Sequence, residues 1–227
     1  MATKETEEKK TKKKAQTDET VEPQAENAQP EKSAEDCLHE LIEKGKKAGK
    51  LTSKELMMPD AKTIGVLYTT SEANSVSQLA KLKALAPTYG FEIVDVGVTD
   101  ASEVATGAQT LVSKKVDCVD NLTDNNVVNN LSVVANATNA AGIPIFGSEI
   151  EQVAKYGCVA SETLDYVALG KTTGEMAAKI LKGADVKTMP VSVVTDSKPV
   201  YSLKNMQQFK LTLPAEYSSA TNTDTQG

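Results

Sequence analysis

Apolar residues follow two regimes along the chain. From Thr63 onward, short apolar runs alternate with stretches in which apolar positions recur every three or four residues. The run TIGVLY (Thr63–Tyr68) is bounded by turn residues and predicts a buried strand. Asn74–Thr88 carries Val76, Leu79, Leu82 and Leu85 at helical spacing. The alternation then repeats, with strands expected at Phe91–Val98, Val116–Leu122, Ile143–Phe146 and Cys158–Glu162. The intervening helices are expected over Ser102–Lys114, Val127–Ala141, Glu149–Tyr156 and Tyr166–Leu181, the last with Leu169, Met176, Ala177 and Ile180 inward. Strands that each lead into a helix imply an α/β class: an open, doubly wound parallel sheet of about five strands, with right-handed connections and a flavodoxin-like order.

The N-terminal regime is different. Up to Asp36, Val21 is the only Val, Leu, Ile or Phe, and the stretch is crowded with Lys and Glu. Such a segment cannot bury enough apolar surface to offset its ordering entropy, so residues 1–36 are expected to be a disordered charged tail. A short helical pattern follows at Leu38, Leu41 and Ile42, and a new turn is expected at LTSKEL, with Thr52 or Ser53 as its N-cap. This fragment, residues 37–57, stops at Met57-Met58-Pro59. Residues 58–189 then form the α/β body, 190–214 a returning segment and 215–227 a second disordered tail.

Composition narrows the chemistry. The chain of 227 residues has a net charge of -6, and all 25 of its basic residues are Lys. Without Arg it lacks the usual bidentate reader of bases and phosphates, which argues against sequence-specific nucleic-acid binding. No run reaches the ~18 apolar residues of a membrane span. No apolar stretch follows Met1, so the chain as written reads as cytoplasmic. Cys37, Cys118 and Cys158 have no metal or redox spacing, and Cys37 with His39 is a lone pair, so neither a metal nor a disulfide is expected. The sequons at Asn121, Asn130 and Asn136 are treated as coincidental. Neither a glycine-rich phosphate loop nor a nucleophile elbow occurs, and no catalytic residue or cofactor is expected. If there were chemistry, Asp124 or Asp165 would be the acid–base groups.

In open α/β sheets, ligands bind beyond the carboxyl ends of the strands. Four polar loops fall there: residues 69–75, 123–126, 147–149 and the stretch to Asp165. They offer hydroxyls at Ser71, Ser75, Thr123 and Ser148, amides at Asn74 and Asn125, and carboxylates at Glu72, Asp124, Glu149 and Asp165. This set suits a small zwitterion: helix starts and hydroxyls hold a carboxylate, and an acid such as Asp124 holds an ammonium. Each residue also has a plainer role. Asn74, Ser75, Asp124 or Asn125 would serve as a helix cap, and Glu149 as a partner of a helix dipole.

The segments PDAKTIGVLYTTSEANSVSQ (59–78), TDNNVV (123–128), GIPIFGSE (142–149) and LDYVALGKTTGEMAAKIL (164–181) resemble the periplasmic-binding-protein-like substrate-binding proteins of ABC transporters, in the subgroup associated with tryptophan and tyrosine. The resemblance covers residues 58–214, including PVYSLKNMQQFKLTLP. It implies the second lobe of a two-lobed clamshell, a non-catalytic role, an amino-acid-like solute and a transporter permease as partner. Ser71, Glu72, Asn74, Ser75, Thr123, Asp124 and Ser148 are its implied ligand-facing positions. Members of the family are extracytoplasmic, either lipid-anchored or periplasmic. Asn121-Leu122 departs from the family's usual Tyr or Val followed by Pro, and the family's first lobe, signal peptide and anchoring cysteine have no counterpart in these 227 residues.

CLHELIEKGKKAGKLTSKEL (37–56) resembles instead the first N-terminal region of bacterial primary sigma factors. That implies RNA polymerase as an alternative partner and transcription initiation as an alternative function. Two such pieces meeting at Met57-Met58 suggest a chimeric reading frame. The strand edges of VSVVTDSKPVYSL, from Val191, are expected to lack a pairing partner.

Overall fold

The computed structural model describes residues 50–192 and 197–225. The charged segment 1–36, the positions Leu38, Leu41 and Ile42, and Cys37 with His39 lie outside the described residues, as does most of the sigma-factor-like stretch. In chain order the elements are α1 (Lys50–Met57), β1 (Thr63–Thr69), α2 (Ala73–Leu85), β2 (Glu92–Val98), α3 (Val104–Ser113), β3 (Cys118–Asp120), α4 (Asn125–Asn129) and α5 (Leu131–Ala140). They continue with β4 (Ile145–Phe146), α6 (Ile150–Tyr156), β5 (Ala160–Leu164), α7 (Tyr166–Leu181), β6 (Ser197–Tyr201), α8 (Leu203–Gln208) and β7 (Thr221–Asn222).

The doubly wound layer is present. β1 to β4 form a parallel sheet in the order β2-β1-β3-β4. Alternation along β1 sends Ile64 and Val66 to one face and Leu67 to the other, and both faces are covered. Ile64 and Val66 pack with Leu79 and Leu82 of α2, Phe91, Phe146 and Met206. Leu67 packs with Val104, Ala108 and Leu111 of α3 and with Leu131 and Val134 of α5. Gly107 lets α3 approach β1 closely: a Cβ there would lie 2.5 Å from Leu67 Cδ1.

Four expectations need correction. The first concerns α1. It already includes Lys50, so Thr52 and Ser53 lie within it and are not its cap, and it is part of the body: Leu51 and Met57 lie in the same core cluster as Ile64 and Phe146. A boundary at residue 57 therefore cuts through a packed unit. The stretch 50–56, assigned to the sigma-like fragment, is held by the α/β core.

The second concerns β5. It keeps a parallel contact with β4, through Val159 N–H donating to Ile145 O and the Gly147–Ser161 bridge, but its main partner is β6, antiparallel from Ala160↔Tyr201 to Leu164↔Ser197. Together with β7 these make a second sheet, ordered β5-β6-β7. Ser197–Tyr201 is thus paired where an unpaired edge was expected; Val191 is exposed, and Val193 and Val194 lie outside the described residues. Thr221–Asn222 pairs with β6 inside the stretch expected to be a tail.

Third, the helix expected over Val127–Ala141 breaks at Asn130 (φ -115°, ψ 18°), whose side-chain amide donates to Asn126 O at 2.8 Å. Asn commonly competes with the helix in this way.

Fourth, α7 has the expected bounds but buries none of its residues fully: Leu169 and Met176 are half-buried, whereas Ala177 and Ile180 are exposed.

Candidate functional site

The carboxyl ends of β1, β3 and β4 lie side by side, and the end of β5 runs past that of β4 and is joined to the β4 loop by the Tyr166–Glu149 hydrogen bond, so the four polar loops come to one edge. The tightest part is a hub on Asp124, which is fully buried at the N-cap of α4. Its Oδ2 accepts from Thr69 N–H at 2.6 Å and from the Ser75 hydroxyl at 2.7 Å. Its Oδ1 accepts from the Thr69 hydroxyl at 2.7 Å and from Val127 N–H at 3.1 Å. Burial alone would raise the Asp124 pKa; these donors outweigh it and hold the carboxyl below the usual aspartate range. With four donors on two oxygens, this group locks the β1 loop to the β3 loop. It is neither an open ammonium acceptor nor a free acid–base group.

A second set of bonds crosses the same gap. Glu72 stands at the N-cap of α2 without a side-chain cap bond. Its carboxylate reaches Asn125 instead, accepting from the backbone N–H at 3.1 Å and from the side-chain amide at 3.2 Å. Asn74 donates to Thr123 O at 2.9 Å, and Gln78 to the Thr123 hydroxyl at 2.8 Å. Asn74 and Ser75 therefore lie in the first turn of α2 and are not its cap. The open start of this 13-residue helix carries the positive end of its dipole. Ser71 lies exposed in the preceding turn.

The β4 loop joins through Asn121. Ser148 donates its hydroxyl to Asn121 O and its N–H to Gln152 Oε1, which also accepts from the Asn121 amide. Glu149 begins α6 with no cap bond, and its Oε1 accepts from the Tyr166 hydroxyl at 2.6 Å. That hydrogen bond, followed by burial and the glutamate charge, pushes the Tyr166 pKa up to about 12. Asp165 caps α7 through Val167 and Ala168 N–H and pairs with Lys198 at 2.6 Å. The Lys198 bond and the two N–H groups hold its carboxyl below the usual range. Asp165 is thus engaged at the outer end of the edge, away from the Asp124 hub.

Sequence reasoning placed all ten candidates on loops of one edge but missed the residues that organise them: Thr69, Gln78, Asn121, Gln152 and Tyr166. Tyr166 carried a usable signal, since it immediately follows the helix cap Asp165 at a strand end. The buried amide of Gln152 had none. A narrow cleft elsewhere, between α1 and the second sheet, is lined by Ser53, Ser161, Glu162 and Tyr217 and lies apart from this edge. Among the described residues, no group of three or more His, Cys, Asp or Glu is placed to hold a metal. Among them, too, no helix is long and apolar enough to cross a membrane.

A doubly wound layer with latched polar loops and an open helix start at its strand ends is the architecture of a binding lobe in the periplasmic-binding-protein-like class. The family model described as "ABC transporter substrate binding protein" matches residues 49–223, and the chain belongs to that family. Its match begins at residue 49 and so takes in α1. The tyrosine-binding protein of Clostridioides difficile is 35% identical over 158 residues, which is 68% of this chain and 45% of that protein. A structure of an ABC domain in complex with L-Trp from Streptococcus pneumonia is 29% identical with a TM-score of 0.71, over 77% of this chain and 59% of the other. A ligand-free, open substrate-binding protein with adhesive properties from Clostridium difficile is 34% identical with a TM-score of 0.62, over 77% and 58% of the two chains. This chain therefore spans about half the length of the relatives it matches.

Proposed function

We propose that the edge formed by the β1, β3, β4 and β5 loops is one wall of a binding site for a small amino-acid-like solute, without catalysis. In this reading the solute is passed to an ABC transporter permease outside the cytoplasm. The observation that carries the proposal is the open start of α2: Glu72, the residue placed to cap it, is drawn away to Asn125. An uncapped helix start attracts a carboxylate. The neighbouring Glu72 carboxylate offers the opposite charge for an ammonium. The relatives named above, one called tyrosine-binding and one holding L-Trp, support an amino acid as the solute.

Ligand-observed NMR on the full chain with L-tryptophan, L-tyrosine and L-leucine tests this. Expected is binding near the millimolar range, corresponding to about -4 kcal/mol, because a single wall leaves much of the solute in water. Absence of binding of all three at tens of millimolar would reject the solute class. Micromolar affinity would reject the single-wall reading.

A further inference from the structure

The Tyr166 ring stands at the outer end of this edge, 51% exposed, with its hydroxyl tied to Glu149 at 2.6 Å. An exposed aromatic ring at a helix start ordinarily samples several rotamers. Here the hydrogen bond to a carboxylate on the adjacent β4 loop pins it, so the ring spans the gap between the β4 and β5 ends. Leu164 and Val167, also exposed, flank it in sequence. The edge thus carries hydroxyls, amides and the α2 start over β1 and β3, then an aromatic ring over β4 and β5 set beside Glu149 and the Asp165–Lys198 pair. Strands lie ~4.8 Å apart, which sets these two zones about 10 Å from each other. An extended aromatic amino acid measures about 5 Å from carboxylate carbon to ring centre, and a stacked ring lies ~4.5–7 Å from the ring it packs on, so the two together span that separation.

We infer that Tyr166 is a specificity-determining residue: a stacking platform, oriented by Glu149, for the aromatic side chain of the solute. This rests on the solute-binding reading above and goes beyond it by assigning the side-chain end of the site. Offset or edge-to-face aromatic pairs add to simple burial, and the gain is absent for an aliphatic side chain. Tyr166 therefore acts on discrimination between solutes more than on affinity for the amino-acid head group.

The test compares wild type, Tyr166→Phe and Tyr166→Leu as full chains, measuring Kd for L-tryptophan and L-leucine by saturation-transfer NMR. The chain contains no Trp of its own, so the indole signals belong to the ligand alone. Circular dichroism checks that the variants fold, which the exposure of Tyr166 favours. Tyr166→Leu is expected to weaken L-tryptophan by about three- to tenfold and to shift L-leucine by less than about twofold, with Tyr166→Phe near wild type for both. Equal weakening of both ligands by Tyr166→Leu would show a merely structural role and overturn the inference, as would no change for either. If wild type binds neither amino acid, the solute-binding reading fails and this assignment falls with it, an outcome distinct from the previous two.

Discussion

Lys54 places its ammonium 2.7 Å from Asp120 Oδ1, with both side chains 1% exposed, and 4.8 Å from the centre of the Phe146 ring. The pair ties α1 to the ends of β3 and β4, one residue before the site loop that begins at Asn121. It is also the clearest reason why residues 50–57 belong to the α/β body. Breaking a buried pair from one side strands a charge and costs about 3–5 kcal/mol, whereas replacing both partners by apolar groups is often neutral. Lys54→Met and Asp120→Leu should each lower the urea midpoint sharply, and the double variant should recover most of the loss. An additive double variant would show that the two side chains act independently.

Asp124 should govern the acid limb of stability. Its folded pKa is depressed, so its contribution is fully present above the unfolded value of about 3.9 and is lost as pH falls from there through the folded value. Asp124→Asn turns an acceptor of four bonds into a partial donor and should cost about 2 kcal/mol or more at pH 7. In urea titrations from pH 7 to pH 2.5, wild type should lose stability below about pH 4. The variant should lose less over the same range. Parallel curves would mean that other carboxylates control the acid transition.

The glycines give opposite expectations at two positions. A Cβ at Gly107 would sit 2.5 Å from Leu67 Cδ1, whereas nothing lies within 4 Å of one at Gly174 in α7. Gly107→Ala should destabilise by about 1–3 kcal/mol through overpacking. Gly174→Ala should stabilise α7 by about 0.5–1 kcal/mol, because alanine restricts the unfolded chain. Denaturant melts of both variants decide the point, and a stabilised Gly107→Ala would contradict the close α3–β1 packing.

The outer surface of α7 should make the chain self-associate. Val167 is 84% and Leu181 88% exposed, and Gly170, Gly174 and Ala178 lie between them at helical spacing. Exposed apolar stripes of this kind mark interaction surfaces. Sedimentation velocity at tens of micromolar should show concentration-dependent association. Val167→Asp with Leu181→Lys should suppress it, since each charge also favours its own end of the helix dipole. A wild-type chain that remains monomeric would reject this.

Much of the architecture was legible from the residues because each local signal agreed with the next. The run at Thr63–Thr69, the 3.6-residue stripes of α2 and α3, and the turn residues between them specify strand, helix and connection without reference to the rest of the chain. The same periodicity put all ten candidate residues on loops of one edge, because parallel strands all end on the same side. Periodicity could not tell that the α7 stripe is only half-buried at Leu169 and Met176 and exposed at Ile180, that β5 turns to pair with β6, or that α1 joins the core across what looked like a junction between two pieces. The last two depend on partners far off in the chain: β5 pairs with residues 33 to 41 positions away, and Lys54 with Asp120 66 positions away. Nor could it tell which polar groups are open. Asp124 and Glu72 look alike as acids before a helix, yet one is closed by Thr69, Ser75 and Val127 while the other leaves its own helix uncapped to reach Asn125. Local pattern is enough to say which side chains stand at the strand ends. Which of them stay open to a ligand is settled by packing, because a hydrogen-bonding group already paired within the fold, as Asp124 is with Thr69, Ser75 and Val127, has no capacity left to offer.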